Sequence, residues 1–209
     1  MEDILSWIIQ EIHTVVMATV DEKGHPVTCA IDLMLSENGK LYFLTARGKS
    51  FYHRLIQKKY LSFMGVKGNS TLTSIAVSFQ GKVKNIGHDR LDEIFEKNPY
   101  MKEIYPDEKA RDVLEVFEIY EGKLEVFDLR TKPIQRKTLI LGNTKQNMEI
   151  YEVQSSCTGC NLCLQHCPQK CIDIKHKPVV INQKHCLHCG KCLEICPEKA
   201  IIRKSIIIN

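Results

Sequence analysis

Eight cysteines near the C-terminus carry the most specific chemistry in this chain. They fall in two runs, Cys157-x2-Cys160-x2-Cys163-x3-Cys167-Pro168 and Cys186-x2-Cys189-x2-Cys192-x3-Cys196-Pro197. Three cysteines at two-residue intervals lie on one tight loop, so their sulfurs can cap three irons of a single cube. Eight thiolates spaced in this way imply two [4Fe–4S] clusters, which move electrons one at a time. Structural zinc is the plainer alternative. Zinc sites use two C-x2-C pairs separated by a longer stretch and are complete with four thiolates. Zinc needs neither the third close cysteine nor the Cys-Pro of each run, so the spacing favours clusters. Disulfides fit less well, because nothing marks the chain as secreted.

The two runs are copies of one another. A shift of 29 residues lays 157–172 over 186–201 with half of the sixteen positions identical, and it sets Cys171 opposite Ala200. The runs resemble those of bacterial two-cluster ferredoxins, in which the fourth cysteine of each run serves the other cluster. The resemblance implies one cluster on Cys157, Cys160, Cys163 and Cys196, and a second on Cys186, Cys189, Cys192 and Cys167. Each fourth cysteine is expected to open a short helix, with its proline in the first turn, where no backbone N–H is needed. Since each cluster already has four ligands, Cys171 reads as a small packing residue, with a ligand or redox role as the alternative. His166, His185 and His188 read as neighbours of a cluster, not ligands.

Composition divides the chain. Nine of the ten cysteines lie after residue 156, which predicts a larger domain over 1–148 and a small cysteine-rich one over 149–209. So short a second domain cannot bury a large core, and metal binding is expected to supply much of its folding free energy. Residues 151–209 hold 8 Lys+Arg against 4 Asp+Glu, which accounts for the whole formal charge of +4. Two oxidised clusters with their thiolates add about −4, so the loaded protein is expected to be nearly neutral. This explains the basic excess without nucleic acid, for which no motif is present. Acidic Glu2 and Asp3 exclude a signal-peptide start, and no run of 18 apolar residues predicts a membrane span. The expected location is the cytoplasm, that of an anaerobe suiting oxygen-sensitive clusters.

The first 130 residues read as β-rich. An amphipathic helix over 4–12 precedes strands at 15–20 and 26–35, and Asn38-Gly39 marks a hairpin into a strand at 41–45. A helix fits 50–59, further strands fit 61–66, 73–83, 113–121 and 123–129, and 90–105 is mostly helical. The predicted class is α+β, mainly β: a six-stranded barrel followed by the small cluster domain. One loop within it carries chemistry. Thr45-Ala46-Arg47-Gly48-Lys49-Ser50 leads from a strand into a helix, where free N–H groups, two cations and two hydroxyls could receive a phosphate. The plainer reading is a helix start with solvated basic residues. His25, His53, Cys29 and Trp7 read as turn, helix-surface, strand and packing residues.

The succession VMATVDEKGHPVTCAIDLML, LYFLTARGKSFYHRL, KYLSFMGV and SIAVSFQGKV resembles the FMN-binding split β-barrel family related to pyridoxamine 5′-phosphate oxidase, over roughly residues 5–130. The resemblance implies that Thr45, Ala46, Arg47, Lys49, Ser50 and Arg54 hold the flavin phosphate and ribityl chain. It also places Thr28, Cys29, Ala30 and Ile31, and Ser78 and Gln80, against the flavin ring, and implies a homodimer. Ser50-Phe51 stands where the oxidase has an Arg-Lys pair, and Thr28-Cys29-Ala30 where it has a basic residue. These departures argue against oxidase activity on a B6 vitamer.

The expected function is an oxidoreductase passing electrons between two [4Fe–4S] clusters and FMN to reduce a small organic acceptor. A short connection over 131–153, with a last strand at 139–141, is expected to keep the cofactors close. No glycine-rich dinucleotide motif is present, so electrons are expected from a ferredoxin- or flavodoxin-like partner or from free NAD(P)H. An electron carrier with no substrate of its own is the alternative, and a redox sensor is a third reading with no visible output domain. No residue is assigned as catalytic.

Overall fold

Where apolar residues alternate with polar ones the chain forms strands, and where they recur at three and four it forms short helices. The computed structural model describes residues 2–209, so Met1 of the expected first domain lies outside the described residues. Helix α1 (Glu2–Trp7) continues as a π-helical turn over Ile8–Ile12, and buries Leu5 and Ile8 completely. Strands β1 (Thr14–Val20) and β2 (Pro26–Asp32) form a hairpin whose turn is held by the Asp21 carboxylate, which accepts from the N–H groups of Lys23 and His25. The single strand expected over 26–35 breaks at buried Leu33 and Met34 and resumes as β3 (Leu35–Glu37). Asn38 and Gly39, at φ 51° and 73°, turn the chain into β4 (Lys40–Ala46), the conformation an Asn-Gly hairpin favours.

Helix α2 (Ser50–Lys58), strands β5 (Tyr60–Lys67) and β6 (Ile75–Asn85), and helices α3 (Leu91–Lys97) and α4 (Met101–Ile104) follow in order. The two strands expected over 113–129 are one, β7 (Leu114–Asp128). Gly122 lies inside it because β7 passes so near β6 that a Cβ on either Gly81 or Gly122 would collide with the opposite backbone. With β8 (Gln135–Leu141) added on β7, the sheet has eight strands in the order β2-β1-β5-β6-β7-β4-β3. Six of these are the expected barrel strands. Strands β3 and β8 are additional, one cut from a longer predicted strand and the other grown from the predicted connection. Edge strand β2 curls back to approach β4.

Two layers of side chains fill this unit. On one side Phe43 stacks on Phe117 at 5.5 Å, and Phe51 and Leu55 of α2 are buried. On the other, Tyr42, Leu44 and Val116 meet Leu91, Ile94 and Phe95 of α3. Strand β4 is therefore covered on both faces, which explains its unbroken apolar run.

Glu118 is the buried ion of this unit. Its Oε1 lies 3.0 Å from both Lys40 Nζ and Lys84 Nζ. Burial pushes its pKa up, but Lys84 and Lys40 together hold it below the ordinary carboxylate range. A depressed carboxyl contributes stability above its unfolded pKa of about 4.3 and loses it as pH falls through the folded value. Thermal melting followed from about pH 6 to pH 3 should therefore show an acid-sensitive step. Glu118→Gln should shrink that step, the lowered carboxyls of Glu93 and Glu115 supplying part of the remainder, and cost on the order of 1–3 kcal/mol near neutrality.

By compactness the chain forms two units. One takes the chain up to Lys67, Ala76–Leu124 and Leu139–Thr144; the other takes Gly68–Ile75, Glu125–Thr138 and Lys145–Asn209. The cysteine-rich unit is built on a ribbon of β9 (Gln146–Val153) and β12 (Ile201–Ile208), antiparallel from Gln146↔Ile208 to Val153↔Ile201. Most of the stretch expected as a connection is thus strand. Between the ribbon strands lie α5 (Leu162–Gln165), the short pair β10 (Ile172–Asp173) and β11 (Val180–Ile181), and α6 (Lys191–Ile195). Ile172, Val179, Ile181 and Ile201 are buried together with Cys163, Cys171 and Cys186. Among the described residues, no helix is long and apolar enough to cross a membrane.

Candidate cluster and cofactor sites

Each cysteine run folds by the same local rules. A left-handed residue follows the second cysteine, Asn161 at φ 62° or Gly190 at φ 80°, and starts the helix. The helix carries the third cysteine, Cys163 on α5 and Cys192 on α6. The expectation that the fourth cysteine opens a helix is corrected here, since Cys167 and Cys196 follow the helices instead. The reason is steric. A residue before proline is pushed out of the helical region, and Cys196 sits extended at φ −68°, ψ 113°.

The sulfurs gather around two cavities. One, with about 350 Å³ of empty space, is lined by Cys157, Cys160, Cys163 and Cys196. The other, with about 340 Å³, is lined by Cys167, Cys186, Cys189 and Cys192, with Cys171 beside them. Each takes three cysteines from one run and the fourth from the other. Apolar walls complete them, Val153, Val179 and Ile201 in the first and Tyr151, Ile172 and Ile181 in the second. Backbone donors reach one ligand candidate in each: His188 N–H to Cys186 Sγ at 3.4 Å, and Ala200 N–H to Cys196 Sγ at 3.3 Å. Burial raises Cys163 above the usual thiol pKa and lifts Cys192 to about 11. Chiefly a bond from Cys171, against the opposing effect of burial, brings Cys186 down to about 6. In each set of four one thiol is buried, Cys163 or Cys186, one is exposed, Cys160 or Cys189, and two lie between. Four thiols so gathered against an apolar wall suit a [4Fe–4S] cube.

The other predicted neighbours fall as follows. Cys171 is buried with its Sγ 3.6 Å from Cys167 Sγ. The His188 ring packs edge-on to Tyr151 at 5.6 Å, while His185 Nδ1 bonds the Ile134 carbonyl and His166 Nδ1 that of Leu162. In the barrel unit, His25 lies 3.6 Å from Asp21, and His53 packs against Tyr52.

The predicted flavin residues divide into groups. Lys49 precedes α2, Ser50 opens it, and Arg54 on its next turn donates from Nε to Thr19 Oγ1 at 2.7 Å. Burial raises the Cys29 thiol, and the charges of Arg54 and Lys49 act on it in the opposite sense. Thr45 is buried and its hydroxyl has no hydrogen-bond partner among the described residues. Two cations, a hydroxyl at a helix start and an unpartnered buried hydroxyl suit a phosphate-bearing cofactor such as FMN. Arg47 is engaged elsewhere. Its guanidinium bonds Asp112 at 2.8 Å and Glu115 at 3.3 Å, and Glu115 also accepts from Tyr52 and Asn85. Ala46 packs against the α3 cluster.

Pleating separates the strand candidates. Thr28 and Ala30 are exposed, whereas Cys29 and Ile31 alternate onto the more buried side, so the four side chains cannot all face one ring. Ser78 and Gln80 lie on the exposed side of β6. On the outer side of β1, Val16 pairs across to Ala30 and Met64, and Val16, Met64 and Val66 are each about half exposed. Thr19, Asp112 and Glu115 were missed as site residues. They are 35 to 68 residues from their arginine partners, and no local pattern announces them.

A family model described as pyridoxamine 5′-phosphate oxidase matches residues 1–126, more than half of the chain. The chain belongs to this family. A second model, described as a 4Fe-4S dicluster domain, matches residues 138–201. No curated protein matches the sequence. Among solved structures, the chain is similar to a NimC/NimA family protein from Clostridium acetobutylicum, at 18% identity and TM-score 0.56, over 67% of this chain and 92% of that one. It is also similar to a C. acetobutylicum protein related to general stress protein 26 of B. subtilis, of the pyridoxinephosphate oxidase family, at 14% identity and TM-score 0.50 over 67% and 96%. A heme binding protein from Mycobacterium smegmatis matches at 13% identity and TM-score 0.51 over 64% and 55%. At such identities the likeness shows the fold alone. A flavin-type barrel joined to an iron–sulfur domain gives this family member a redox role.

Proposed function

We propose that this chain is a flavin- and iron–sulfur-dependent oxidoreductase that passes electrons between two [4Fe–4S] clusters and FMN and reduces a small organic acceptor. The observation that carries the reading is the gathering of eight cysteines round two cavities in a chain whose other unit is an oxidase-family barrel. Bound FMN and the clusters would supply two-electron and one-electron chemistry respectively. The chain's own residues do the rest. Cys157, Cys160, Cys163 and Cys196 hold one cluster, and Cys186, Cys189, Cys192 and Cys167 the other. Val153, Val179, Ile172 and Ile181 keep water from the sulfurs. Lys49, Ser50 and Arg54 bind the flavin phosphate, Thr45 gives its buried hydroxyl to the same cofactor, and Arg47 ties the loop to β7. A second copy of the chain covers the apolar outer side of β1 and β5, and a ferredoxin, a flavodoxin or free NAD(P)H supplies electrons. Sedimentation velocity should accordingly give twice the 24.0 kDa chain mass.

The test is anaerobic purification with iron, sulfide and released flavin quantified. About eight irons and one FMN per chain are expected, with turnover of a nitroaromatic or quinone. Eight irons with rapid ferredoxin exchange and no turnover would instead make the protein a carrier, and zinc alone would end the electron-transfer reading. Lys49→Ala and Arg54→Ala should each weaken FMN binding about 10-fold, or about 1.4 kcal/mol. Arg47→Ala should weaken it less, because its charge is already committed to Asp112 and Glu115.

A further inference from the structure

The halves of the cysteine-rich unit are copies, yet their sulfurs have different neighbours. Cys171 stands in the first half where Ala200 stands in the second, and both are buried. Cys171 lines only the cavity of Cys167, Cys186, Cys189 and Cys192. Its Sγ lies 3.6 Å from Cys167 Sγ. Ala200 offers the other cavity no side-chain donor. The backbone donors balance between the halves: His188 N–H bonds Cys186 Sγ at 3.4 Å and Ala200 N–H bonds Cys196 Sγ at 3.3 Å, and backbone N–H groups act alike on Cys163 and Cys192. Charge adds a smaller difference. Glu198 lines the opposite cavity, while on the Cys186 side Arg136 is paired with Glu125 at 3.2 Å and Lys191 with Glu194 at 3.1 Å.

We infer that Cys171 is a thiol donor to the ligand sulfur of Cys167, and that it makes the cluster Cys167 serves the more easily reduced of the two. This rests on the two-cluster reading above. A metal-bound thiolate can only accept, so the Cys171 S–H is the donor. A hydrogen bond to a ligand sulfur stabilises the extra negative charge of the reduced cluster and raises its potential, while a nearby carboxylate lowers it. The two cubes of this chain are therefore an ordered pair. An electron rests on the Cys167, Cys186, Cys189, Cys192 side, and the Cys157, Cys160, Cys163, Cys196 side is the stronger reductant.

The test is an anaerobic redox titration of the full chain followed by electron paramagnetic resonance, on wild type, Cys171→Ala and Cys171→Ser. Iron and sulfide are measured first. A wild-type chain without two clusters overturns the function reading itself, whereas every later failure overturns only the inference. The wild type should reduce in two separate waves. Cys171→Ala should move the higher wave to more negative potential and leave the lower one in place, and Cys171→Ser, which keeps an O–H donor, should retain most of the wild-type value. A single wild-type wave, an unmoved higher wave in Cys171→Ala, a shift of both waves, or a serine variant that titrates like alanine would refute the role. Loss of about half the iron in Cys171→Ala would make the residue a ligand and refute it equally.

Discussion

The double variant Cys160→Ala/Cys196→Ala should keep about four irons per chain, while Cys160→Ala/Cys167→Ala should keep almost none. The two lack the same number of thiols and differ only in which second cysteine is replaced, yet they report the wiring of the whole unit. Cys160 and Cys196 line the same cavity, so losing both disables one cluster and spares the other. Cys160 and Cys167 come from one run and line different cavities, so losing both breaks each set of four. Uncrossed wiring predicts the reverse outcome, with four irons left in Cys160→Ala/Cys167→Ala. Iron and sulfide analysis on anaerobically prepared protein decides between them, and no spectral assignment is needed. The crossing follows from the fold. Each fourth cysteine is carried past its own helix by the following proline, and the distance it then travels brings it to the partner loop.

How much of this was legible before folding depends on how local the signal was. The cysteine spacing, the Asn38-Gly39 turn and a helix face of Phe51, Leu55 and Ile56 are read within a few residues of chain, and the structure carries them except for Ile56, which is exposed. The flavin loop is a different case. Its sequence advertises Arg47 as a phosphate ligand, but Asp112 and Glu115, distant in sequence, claim that guanidinium. Arg54, a weaker candidate by sequence, is the cation that turns toward Thr19. The continuity of β7 was hidden by Gly122, which reads as a turn residue. Its purpose is close passage past Gly81, and that neighbour is invisible in one dimension. The stretch 125–138 likewise reads as the end of the barrel, yet it belongs by compactness with the cysteines.

That last point leads to a prediction with a large effect. Stripping the iron, with a chelator after oxidation, should unfold the cysteine-rich unit while leaving the barrel core intact. The core round the cysteines has four buried aliphatic residues, Ile172, Val179, Ile181 and Ile201, against three buried cysteines. Its main ladder is a two-stranded ribbon, which is marginal in water without a hydrophobic partner. Structural metal sites can contribute on the order of 10 kcal/mol to folding, more than such a core can replace. Hydrogen exchange should therefore accelerate throughout β9, β12 and the cysteine loops, with protection retained in β4 and α3, where Phe43, Leu44 and Ile94 are buried without help from metal. Ile134 is the sharpest reporter. Its N–H is held by Gln169 Oε1 at 3.0 Å and its carbonyl accepts from His185 Nδ1 at 2.8 Å, and both partners lie on cluster-bearing segments. If iron-free protein kept the Ile134 amide protected, the segment would be held by its own packing, and the claim that metal folds this unit would fail.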